Sequence, residues 1–157
     1  LKVVEVVKKY AEGDFSVDMD RLIGQKKQIS DAIDQVRDNL QSINKEIMIL
    51  VKAAMEGKLS VRADESKFRY SFKEMVGGIN ATLDSVIGPL NVAADYVDRI
   101  SRGAIPPRIT DSYNGDFNTI KNNLNNAIDN VNALVADAGM LSKAAVEGKL
   151  STRADAS

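Results

Sequence analysis

Residues 56–66 read EGKLSVRADES, and residues 147–157 read EGKLSTRADAS. Only Val61 against Thr152 and Glu65 against Ala156 distinguish the two copies. A lysine after a glycine invites a phosphate-loop reading. That motif needs G-x-x-x-x-G-K-S/T between a strand and a helix, so that backbone amides wrap the phosphates. Here Leu59 follows Lys58, no glycine stands five residues ahead of Gly57, and a helical pattern ends at the glycine instead of starting there. The spacing predicts a glycine in left-handed conformation closing a helix. Repetition then points to architecture.

Working outward, four glycines close apolar, helix-like stretches: Gly13, Gly57, Gly103 and Gly148, spaced by 44, 46 and 45 residues. Two residues after each stands a large apolar side chain, Phe15, Leu59, Ile105 and Leu150. The repeat is about 45 residues long, present three times and begun a fourth.

Between glycines the apolar residues keep a fixed step. Ile29, Ile33, Val36, Leu40, Ile43, Ile47, Leu50 and Ala54 alternate steps of four and three, as do Leu124, Ala127, Val131, Leu134, Ala138, Leu141 and Ala145. A 3.5-residue period marks a coiled-coil seam. The middle stretch, Ile79, Thr82, Val86, Pro89, Ala93, Tyr96 and Ile100, breaks the pattern at Thr82 and Pro89. Proline lacks an amide hydrogen and clashes with the preceding turn, so a kink or restart is expected there, with the seam shifting toward Leu83, Ile87, Leu90, Ala94 and Val97. Helices are predicted over about 29–56, 71–102 and 117–147.

The connectors after each glycine hold turn-formers, including Ile105-Pro106-Pro107 and Tyr113-Asn114-Gly115-Asp116. Antiparallel neighbours need only two to five linking residues. About fourteen extended residues reach roughly 45 Å, enough to climb back along a helix and start a parallel one. Apolar residues two and six after the glycine would pack the connector onto the helices: Phe15 and Met19, Leu59 and Ala63, Ile105 and Ile109. Two parallel helices cannot bury their seams alone. A homodimer forming a parallel four-helix bundle would.

Composition bounds the chemistry. The 157 residues include 44% hydrophobic but only 5% aromatic side chains, which favours long packed helices over a compact globule. Lys plus Arg total 21 against 22 acids, so no charge excess steers the chain toward nucleic acid or an anionic membrane. The absence of Cys and His removes thiol chemistry, the usual zinc sites and most general-base arrangements. No cofactor, metal or small-molecule ligand is expected, and no catalytic residue is assigned. No stretch is apolar enough to span a membrane and no signal peptide opens the chain. The start at Leu1 and the end inside a repeated phrase suggest a piece of a longer protein, which could include a membrane anchor.

Other motifs receive bland readings. Arg62 and Arg153, beside Asp64 and Asp155, read as solvated surface charges. The sequon Asn80-Ala81-Thr82 falls in a predicted helix and is discounted. Residues 118–132 hold seven asparagines, mostly off the seam. Asn80 and Asn125, one residue after Ile79 and Leu124, are either polar surface or hydrogen-bond partners of the connector.

Taken together, Glu12-Gly13-Asp14-Phe15, Glu56-Gly57-Lys58-Leu59, Arg102-Gly103-Ala104-Ile105 and Glu147-Gly148-Lys149-Leu150, the Ile79-Asn80 and Leu124-Asn125 steps and Pro89 resemble concatenated HAMP domains. The phrasing is similar to arrays in bacterial methyl-accepting chemotaxis receptors. The sequence departs where the second helix begins: the family's acidic-Glu-x-Gly survives loosely as Asn114-Gly115-Asp116-Phe117 and is absent before Phe72. Asp34 stands where the other repeats have Asn.

The resemblance implies an all-α fold of tandem parallel four-helix bundles, with repeats at 1–43, 44–88, 89–134 and a partial 135–157. It implies a dimeric chemoreceptor whose array lies in the cytoplasm and passes a signal from a sensor domain toward a histidine kinase and its adaptor. The residues expected to carry the relay are Gly13, Phe15, Met19, Gly57, Leu59, Ala63, Pro89, Gly103, Ile105, Ile109, Gly148 and Leu150. A passive dimeric spacer, or the array of a sensor histidine kinase or cyclase, is the alternative. A helical ligand sensor ranks below these, since the lack of His, Cys and Trp disfavours a haem or metal pocket. Residues 148–157, cut before their partner helix, should be poorly ordered or atypically packed.

Overall fold

A computed structural model describes residues 3–154 and is all-helical over that span. Four α-helices follow in order: α1 at Val3–Ala11, α2 at Lys27–Met55, α3 at Tyr70–Ser101 and α4 at Gly115–Val146. Short 3-10 turns at Gly24–Lys26 and Glu65–Lys67 sit late in the first two connectors. The helix bounds match the 3.5-residue pattern to within about two residues. No strand occurs among the described residues.

Each helix ends by the same device. Gly13, Gly57, Gly103 and Gly148 have φ of 88°, 72°, 76° and 75°. At Gly57 the glycine amide donates to Ala54 at 3.0 Å and the Lys58 amide donates to Ala53 at 2.8 Å. Those two bonds form a Schellman cap, which satisfies carbonyls the helix end would otherwise orphan. The pattern recurs at Gly13, Gly103 and Gly148.

The repeated phrase folds twice alike. Lys58 pairs with Glu56 at 2.7 Å and Lys149 with Glu147 at 2.8 Å. Arg62 donates to the carbonyls of Leu59 and Val61, and Arg153 to those of Leu150 and Thr152. Arg153 is exposed as expected, whereas Arg62 is half-buried; in both a long guanidinium fork meets carbonyls that the turn has turned outward. Residues 155–157, on which part of the expectation for 148–157 falls, lie outside the described residues; Leu150 is 78% exposed against 43% for Leu59.

Pro89 does not interrupt α3, and the expected restart is absent. The residue ahead of it is Gly88, whose missing Cβ eases the clash between the proline ring and the preceding residue, although the amide hydrogen bond to the Ser85 carbonyl is still lost. The break in the pattern is thus carried by one continuous helix.

The chain divides into two compact units, Leu1–Asp84 and Ser85–Ser157. In the first, Val6, Tyr10 and Met19 form one small core, with Phe15 and Ile33 against it. A second core gathers Ile43, Leu50, Ala63, Phe68 and Val76. In the second unit Ile109 and Ile128 are buried, together with Pro106 of the Ile105-Pro106-Pro107 turn. A fully buried side chain such as Val76 or Ile128 contributes roughly 1.5–3 kcal/mol.

Burial divides the seam. Ile43 and Leu50 are buried in the second core with Val76, whereas the seam residues Ile29, Val36, Ile47 and Leu134 stay 48%, 49%, 36% and 69% exposed. Among the described residues those four positions have no full cover.

Candidate functional site

The candidate site is the place where connector meets helix. The connector residue six after Gly13, Gly57 and Gly103 is buried: Met19 at 4%, Ala63 at 6% and Ile109 at 7% exposed. The residue two after it is less covered. Phe15 and Ile105 are half-buried, and Leu59 is 43% exposed. Phe15 does meet Tyr10, with ring centroids 6.0 Å apart.

The backbone at that step is held by an amide clamp. Asn80 Oδ1 accepts from the Ala63 N–H at 2.9 Å, while its Nδ2 donates to the Ala63 carbonyl at 3.0 Å. Asn125 treats Ile109 the same way, at 2.7 and 3.0 Å. Both asparagines are buried, so of the two readings the sequence allowed, the connector-bonding one holds. An extended segment in a connector has no ladder partner. The asparagine side chain mimics one, offering a donor and an acceptor at peptide spacing.

A second bond flanks each clamp. Arg62 reaches Asp84 at 2.7 Å, and Arg108 pairs with Asp129. Each aspartate lies four residues, one helical turn, beyond its asparagine. The second repeat adds Glu65, which accepts from Asn80 Nδ2 at 2.8 Å.

Glu46 carries no sequence signal. It is 4% exposed, accepts from the Asp64 N–H at 3.1 Å and pairs with Lys67 at 2.6 Å. The Lys67 ammonium, then the Asp64 amide, hold its carboxyl below the usual carboxylate value. Reciprocally, Glu46 raises Lys67 above the usual ammonium value. Hydroxyl and amide donation from Ser66 lowers Asp64, which caps the 3-10 turn.

The start of each second helix needs a left-handed residue. Gly24 and Gly115 supply it with φ of 62° and 53°. In the second repeat the residue is Tyr70, φ 50° and 87% exposed. A side chain there costs about 1–2 kcal/mol against glycine, and no packing offsets it.

Pro89 is half-buried and, with Ile109 and Phe117, lines a hollow of about 10 Å³. A wider apolar groove of about 440 Å³ opens between Val7 and Tyr10 of α1 and Ile33, Val36 and Leu40 of α2. Among the described residues, no helix is long and apolar enough to cross a membrane.

The geometry agrees with the family comparisons. Residues 67–133 match the HAMP domain model, and residues 1–41 match that of HAMP N-terminal domain 3. No curated protein and no solved structure matches the chain. HAMP domains have a signal-relay role in transmembrane receptors. With a glycine-capped helix in each matched stretch, residues 1–41 and 67–133 of this chain carry HAMP domains.

Proposed function

We propose that the chain is a non-enzymatic relay that works as a parallel homodimer within a chemotaxis receptor. Its cytoplasmic array takes a conformational change from a sensor domain and passes it toward a histidine kinase and adaptor. The observation that carries the dimer is the exposed seam. Ile29, Val36, Ile47 and Leu134 keep a coiled-coil register, yet they stay open while their neighbours pack on connectors. A second copy supplies the same register and covers them.

Relay requires an element with two packings. A signal shifts such an element only by its differential free energy, a few kcal/mol. Small and irregular seam residues, Ala127, Ala138, Thr82 and Pro89, keep the two packings close in energy. Thr82 bonds back to the Gly78 carbonyl at 2.8 Å, a contact that bends helices. The second and fourth repeats share the EGKLS phrase and the first and third depart from it, so neighbouring repeats are proposed to prefer opposite states. A dimer structure with one helix rotation throughout would exclude that alternation.

A passive spacer is separated from a relay by regularising the seam. Pro89→Ala with Thr82→Leu in the full-length receptor leaves a spacer's kinase output responsive to stimulus. The relay account expects output locked in one state.

A further inference from the structure

The first repeat holds its connector by different chemistry from the other two. Met19 stands six residues after its glycine, as Ala63 and Ile109 do, and Asp34 takes the place of Asn80 and Asn125. An asparagine both donates and accepts, whereas a carboxylate only accepts. Asp34 is 8% exposed, and its buried Oδ1 accepts no hydrogen bond. Its partners are guanidiniums instead: Arg21 of the connector at 3.0 Å from Oδ2, and Arg37 of α2 at 3.5 Å from Oδ1.

The flanking bond is exchanged as well. Where the later repeats have Arg62 and Arg108 on the connector, the first has Asp18. Where they have Asp84 and Asp129 on the helix, it has Asp38. Two acids at those positions cannot pair, and Arg37 bridges them, contacting Asp18 and reaching Asp38 at 2.8 Å. Arg21 also meets Asp31 at 3.0 Å. Four carboxylates thus share two guanidiniums across one connector. Among the described residues no acidic group is arranged to hold a metal ion.

We propose that the first connector is fastened by a charge latch, which raised ionic strength releases while the amide clamps of the second and third repeats stay shut. The pairs of Arg21 are partly exposed, its side chain being 69% accessible. Screening shortens the Debye length from about 10 Å at 0.1 M to about 3 Å at 1 M salt. The neutral, buried amide pairs have no such dependence. The first repeat is therefore the one that opens in response to ions or a charged segment.

Because the chain has no cysteine, Met19→Cys, Ala63→Cys and Ile109→Cys each create a single thiol at an equivalent buried step. Labelling by an uncharged thiol reagent is followed at 0.1 M and 1 M sodium chloride. Salt is expected to speed labelling at position 19 by roughly fivefold and at positions 63 and 109 by less than about twofold, since the amide clamps persist when the flanking Arg62–Asp84 and Arg108–Asp129 pairs are screened. Adding Asp34→Asn should abolish the acceleration. Peptide-resolved hydrogen exchange on the unsubstituted chain, comparing residues 14–22, 58–66 and 104–112, gives the same contrast without a thiol. Equal salt responses at all three connectors, or an acceleration that survives Asp34→Asn, would overturn the proposal.

Discussion

Asn80 and Ala63, seventeen residues apart in sequence, exchange two hydrogen bonds of 2.9 and 3.0 Å in a buried position. Removing the amide leaves a backbone N–H and C=O buried without partners, each worth about 1–3 kcal/mol. Asn80→Ala is therefore expected to cost roughly 2–4 kcal/mol, and Asn125→Ala the same, read from urea midpoints. An Asn126→Ala control, one residue off the clamp and exposed, should stay within about 0.5 kcal/mol of the parent.

Glu46 gives the second repeat a pH dependence. Its carboxyl lies below its ordinary value of 4.5, so the stability it contributes is complete above that pH and lost as pH falls through the lower folded value. Lys67 lies above its ordinary 10.5, so its share is complete below that pH and fades as pH rises through the higher folded value. Between those limits the pair is flat. Glu46→Gln should lower stability by roughly 1–2 kcal/mol at pH 7 and flatten the acid-side slope, checked by thermal melts from pH 3 to 7.

Tyr70 is strained and unsupported, so replacing it should help. Tyr70→Gly is expected to raise stability by about 1 kcal/mol despite the loss of a large side chain. A lower melting temperature in that variant would show that the tyrosine makes a contact worth more than its φ of 50° costs.

Gly57 tests strain apart from crowding. A Cβ built there meets nothing within 4 Å, yet its φ is 72°. Gly57→Ala should still cost about 1–2 kcal/mol, because the left-handed backbone sets the penalty. Helicity measured by circular dichroism should fall little, since the α2 cap alone is disturbed.

Much of the fold was legible because a 3.5-residue step and a capping glycine are both local signals. The bounds of α2, α3 and α4 follow from the seam and from Gly57, Gly103 and Gly148. Val76 and Ile128 escaped notice because they lie beside the seam, whose stronger period masks them, and Ile87 entered only as a position toward which the seam shifts. Asn80 and Asn125 stood seventeen and sixteen residues after their connector partners, but spacing alone does not distinguish a buried clamp from a polar surface. Glu46 and Tyr70 left no trace: one acid on a charged helix and one aromatic before a helix are ordinary residues until the backbone is known. Pro89 misled in one respect, since α3 runs on through it and no restart occurs.

The central claim is that the exposed seam is covered by a second, parallel copy. With no native cysteine, Ile47→Cys and Leu134→Cys each place one thiol on that seam, at positions 36% and 69% exposed. Oxidative crosslinking of the purified chain at low concentration should give a symmetric disulfide dimer at both positions, while a cysteine at exposed Asn126 gives none. Monomer at both seam positions under the same oxidant would contradict the parallel bundle and the relay built on it.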